Sequence, residues 1–86
     1  MPKICEFFGI SIYIFYREHL PPHFHAKYGD DEVLVIIDNM SIMSGRLPPR
    51  AMGLVVEWAS RHQSELRLVW MQAISHEPLD KIEPLK

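Results

Sequence analysis

The chain has 86 residues, 48% of them apolar and 23% charged, and its nine Lys and Arg against eleven Asp and Glu leave a formal charge of −2. A chain this short forms one domain, residues 1–86, and its near-balanced charge excludes broad, salt-driven binding to nucleic acid, so any phosphate contact is local. A single cysteine, Cys5, excludes an internal disulfide and an intrachain cysteine zinc cluster, and the longest apolar run, "GISIYIFY", is too short to cross a bilayer.

Lys3 to Phe8 and Ile10 to Arg17 are rich in Ile, Tyr and Phe and read as strands, with Gly9 between them at a bulge or tight bend. Strand alternation puts Ile10, Ile12 and Ile14 on one face and Tyr13 and Phe15 on the other, so this strand is expected to be covered on both sides. After the Pro21–Pro22 break, Phe24 to Tyr28 resumes as a strand. "GDD" then turns the chain into the β-branched run Val33 to Asp38, a hairpin. "DNMS" makes the next turn, Ile42 to Arg46 is a short strand, and "LPP" ends the sheet.

Pro49 suits the first turn of a helix, where a missing N–H costs nothing. From there Ala51, Val55, Trp58, Ala59, His62, Leu66, Val69, Trp70 and Ala73 fall on one stripe of a 3.6-residue period. One continuous helix would be roughly 40 Å long and overhang so small a domain. We expect a break near Gln63, with Ser64 capping a second helix. Pro78 ends the helical part, and "DKIEPLK" is expected to return as a short edge strand. The sum is an α+β fold, an antiparallel sheet of about five strands followed by a C-terminal helical pair.

His23 and His25 are two apart, so on a strand their imidazoles leave the same face. That geometry serves acid–base chemistry, contact with an anion, or a divalent metal, for which these two histidines are the candidate ligands. The plain structural alternative has one ring bonded to a backbone carbonyl and the other solvated. Around "GRLPPRA", Arg46 and Arg50 flank a helix start whose first turn has no acid, which fits an anion-binding patch. The alternative there is pairing of Arg46 with Asp38 or Glu32 across the sheet. Arg17 can extend the anion contact and Tyr28 can support it, as a stacking or hydrogen-bonding wall. Trp58 and Trp70 read as core, and Met71 beside Leu68, off the main stripe, marks a second contact face.

The runs "FFGISIYIFYREHLPPHFHAKYGD" and "GRLPPRAMGLVVEWASRHQSEL", with the ending "PLDKIEPL", resemble the short bacterial proteins of domain-of-unknown-function family 4160. The "PPHFHA" core, Pro21 to Ala26, carries most of the likeness. The resemblance implies a gene pairing suspected to be a toxin–antitoxin module, with His23, His25, Arg46 and Arg50 as the positions to watch. The expectation is a small toxin-like component acting on RNA or a nucleotide, with catalytic His23 and His25 and anion contacts from Arg46, Arg50 and Arg17. Two alternatives stand beside it: a non-catalytic interaction module or antitoxin-like partner, and a small metal-dependent enzyme built on the H-x-H pair. The expected partner is a small cognate protein or a second copy of the chain, with RNA possible and no membrane. No cofactor is expected, a divalent metal on His23 and His25 belonging only to the metal-dependent alternative. Without an ordered cationic, hydrophobic and cleavage-site leader, the expected location is cytoplasmic.

Overall fold

The computed structural model describes residues 2–86. Five strands, β1 (Lys3–Phe7), β2 (Ile10–Tyr13), β3 (His23–Tyr28), β4 (Asp31–Ile36) and β5 (Ile42–Gly45), precede two helices, α1 (Pro49–Arg61) and α2 (Gln63–Ile74). The strands form one sheet in the order β1-β2-β3-β4-β5, each antiparallel to its neighbour. The architecture is α+β, as the change from strand to helix periodicity implies. β2 is shorter than the apolar run that encodes it, because the chain leaves the sheet after Tyr13.

Alternation decides the two faces of the sheet. Ile10, Ile12, Ile14, Phe24, Ala26, Val33 and Val35 are buried and form one core cluster with Ala51, Val55, Trp58 and Ala59 of α1 and Leu66, Val69, Trp70 and Ala73 of α2. The helical stripe therefore continues across both helices in one phase. The opposite face carries Tyr13 stacked on Phe15 at 5.7 Å, with the Lys27 ammonium 5.2 Å from the Tyr13 ring centre. This outer face is only half-buried, covered by its own side chains.

The helix breaks at His62, whose φ of −123° leaves the helical region, while the amide of Leu66 bonds its carbonyl at 2.9 Å to restart the ladder. Ser64 lies inside α2 and does not cap it; the start has no side-chain cap. Gln63 instead anchors the break, donating from Nε2 to the carbonyls of Ile37 at 2.7 Å and Asp38 at 3.0 Å. At the end of β5, Gly45 has φ of +76°, and a Cβ there would collide with the Glu32 carbonyl oxygen, so only glycine fits. No helix among the described residues is long and apolar enough to cross a membrane.

The segment after α2 forms no strand. It runs beside β1 through one backbone bond, Ile82 N–H to the Ile4 carbonyl at 3.0 Å, and the Trp58 indole donates to the Glu83 carbonyl at 2.8 Å. In place of the expected edge strand, the described residues show a single backbone bond to β1, with the Trp58 indole, the buried Ile82 and the Lys81 ammonium on the Lys3 carbonyl at 2.8 Å as further anchors. Pro78 and Pro84 interrupt the donor series a ladder needs.

Candidate functional site

β3 delivers His23 and His25 to the outer face with ring centres 5.4 Å apart. The loop between β2 and β3 brings Glu18 to them, and it is tied down where Tyr16 donates its hydroxyl to the Glu77 carbonyl at 3.0 Å and stacks on His76. Glu18 Oε1 contacts His25 Nε2 and lies 3.6 Å from His23 Nε2. One donor atom from each of these three residues lies within 4.8 Å of the others.

Hydrogen bonding fixes the roles of the two His23 ring nitrogens. His23 Nδ1 is 2.9 Å from the Pro21 carbonyl, which can only accept, so Nδ1 carries a proton and in the neutral ring Nε2 holds a lone pair. His23 is 1% exposed, and its Nε2 has no hydrogen-bond partner among the described residues. His25 Nδ1 lies 2.9 Å from Glu32 Oε2 on the neighbouring strand, so that carboxylate orients the second ring. Phe15 packs edge-on against His25 at 4.6 Å.

A second unpartnered atom lies close by. The Trp70 ring is 5.4 Å from the His23 ring, and Trp70 Nε1, also buried, donates to no atom of the described residues. An unpaired acceptor and an unpaired donor on neighbouring buried rings form an unusual pair in a packed domain. The cluster thus combines a dry lone pair, an indole donor and a carboxylate.

Arg46 and Arg50 line clefts of their own. Arg50 and Tyr28 line a cleft of about 340 Å³ with Phe8, Ile10 and Leu54, and Arg46 lines a neighbouring one with Asp31 and Pro49. Neither cleft is lined by the histidines. Glu32 links the two sets, since its carbonyl accepts the Arg46 amide at 3.1 Å while its carboxylate holds His25. Arg17, Arg46 and Arg50 form no ion pair among the described residues: Asp38 is taken by Arg67 and Glu32 by His25.

A family model described as Domain of unknown function (DUF4160) matches residues 9–71. The chain belongs to the DUF4160 family. The match runs from the turn before β2 into α2 and so includes Glu18, His23, His25, Glu32, Arg46, Arg50 and Trp70. No curated protein and no solved structure matches the chain.

Sequence reasoning singled out the histidines but not Glu18, because the path of the β2–β3 loop is not written in any periodicity. It also read Trp70 as core alone. The ring is core, but its N–H is not satisfied there. The one available signal for Glu32 was its place across the "GD" turn from His25, seven residues away on a paired strand.

Proposed function

We propose that this DUF4160 protein is the small toxin-like component of a paired module, and that it acts on a phosphodiester of RNA or a nucleotide at the Glu18–His23–His25 centre. The observation that carries the reading is the buried His23 Nε2, a lone pair kept dry beside a carboxylate and a second imidazole. Stability alone does not favour a buried polar atom without a partner, whereas activation of an oxygen nucleophile uses one. The free guanidiniums of Arg46, Arg50 and Arg17 are the contacts for the substrate's phosphates, and the small net charge keeps that contact local. Tyr28, beside Arg50 in its cleft, supports them as a stacking wall.

A small cognate protein is the partner this reading requires. Leu68, Met71 and Ile74, about half exposed along one side of α2, are the apolar surface it would cover. The rival reading, a non-catalytic interaction module, rests on that same surface.

Expression of the wild-type chain, alone and together with its neighbouring gene, tests the proposal. Growth arrest that the partner relieves, and that His25→Ala and Glu18→Gln abolish in folded protein, is the expected result. A stable complex with no arrest in any arm supports the interaction module instead.

A further inference from the structure

We infer that Glu18, His23 and His25 bind one divalent transition-metal ion through Glu18 Oε1 and the two histidine Nε2 atoms. The inference rests on the reading of this cluster as the chemical centre, and it says what takes up the His23 lone pair.

Four observations lead to it. First, both imidazoles have their Nδ1 held by an acceptor, the Pro21 carbonyl for His23 and the Glu32 carboxylate for His25, each at 2.9 Å. That is how metal-binding histidines are oriented, since an N–H···O bond on one nitrogen fixes the tautomer and makes the other a better ligand. Second, the unpartnered His23 Nε2 and the His25 Nε2, which is bonded to Glu18 Oε1, converge with that oxygen, all three residues offering a ligand atom within 4.8 Å of the others, and an ion would take the place of the proton between His25 and Glu18. Two ligands at about 2.1 Å from one ion are at most about 4.2 Å apart, so small side-chain adjustments close the set.

Third, the cluster is too well buried on the His23 side for bulk water to satisfy its nitrogen, while Glu18 is partly exposed and leaves an approach from solvent. Fourth, three protein donors leave coordination positions open for water or a substrate oxygen, and the unpartnered Trp70 N–H, on the ring beside His23, is the donor available to such an oxygen. Two imidazoles and one carboxylate favour ions such as Zn²⁺, Fe²⁺, Co²⁺ or Mn²⁺; the oxygen-seeking Ca²⁺ and Mg²⁺ fit this donor set poorly. The same two-histidine, one-carboxylate set with open positions holds iron in other proteins, so the ion's identity is left to the titration.

Chelator-stripped full-length protein, titrated with Zn²⁺ and with Co²⁺ by calorimetry and visible absorption, decides the matter. The expected result is one ion per chain, with a Co²⁺ spectrum of nitrogen and oxygen ligation. Glu32→Gln should weaken binding by about 10–100-fold, as loss of an orienting partner does. Glu18→Ala and His25→Ala, at partly exposed positions, should weaken it further while circular dichroism stays unchanged, and His62→Ala, whose ring bonds Glu65 instead, should have no effect. Folded wild type that takes up no ion in metal excess, or uptake indifferent to Glu18→Ala and His25→Ala, overturns the inference. Growth arrest that needs His25 in a protein taking up no metal leaves the functional reading standing without the ion. Stoichiometric uptake with no effect on growth does the reverse.

Discussion

His23 donates from Nδ1 to the Pro21 carbonyl two residues upstream, and that bond leaves its other nitrogen buried with nothing to accept from. A buried unpaired polar atom costs about 1–3 kcal/mol. Replacement by an apolar side chain of similar size removes that cost, although it gives up the bond to Pro21. His23→Leu should therefore leave stability within about 1 kcal/mol of wild type, or raise it, while abolishing activity at the centre. Urea denaturation of the two proteins checks this. A loss above about 3 kcal/mol would make His23 a structural residue.

Trp58 ties the segment after α2 to the core. Its ring packs against Phe7 at 5.4 Å and Phe24 at 6.0 Å, and its N–H reaches the Glu83 carbonyl. Trp58→Phe keeps most of the packing and removes the donor, so it should destabilise by about 1–2 kcal/mol. The loss should be local as well as global. Hydrogen exchange at the Ile82 amide, bonded to Ile4, should accelerate more than exchange at amides inside β3.

Burial pushes the Cys5 thiol above its ordinary value of 9.0. The unfolded chain releases that proton near pH 9 and the folded chain holds it longer, so the folded state binds more protons there. Stability falls when the folded state binds more protons than the unfolded one. The contribution is fully present below about pH 9 and is lost as pH rises through the folded value. Denaturation midpoints should drop as pH rises above about 9, less steeply in Cys5→Ala, and native Cys5 should react slowly with thiol reagents.

The elements were legible where side-chain period alone decides burial. Ile10, Ile12 and Ile14 went inward as alternation requires, and the stripe from Ala51 to Ala73 gave both helices and their shared face. The break was legible from length, yet its cause was not. Gln63 reaches two carbonyls at the end of β4, a contact separated by more than twenty residues of sequence. Glu18 was hidden for the same reason: a loop places it, anchored by Tyr16 on residue 77, and loops have no period to read. His23 and His25 were visible as a pair because two residues on one strand must share a face. Glu18 and Glu32 come from other elements, so the surroundings of His25 became readable only with the fold.

The central claim is that the two Nε2 atoms are the working atoms of this protein, and histidine nitrogen-15 NMR reads them directly. In metal-free protein His23 should show the tautomer protonated at Nδ1. Addition of Zn²⁺ should shift Nε2 of His23 and His25 together, leaving His19, His62 and His76 in place. A His23 ring protonated only at Nε2, or zinc shifts confined to the other three histidines, would contradict the account.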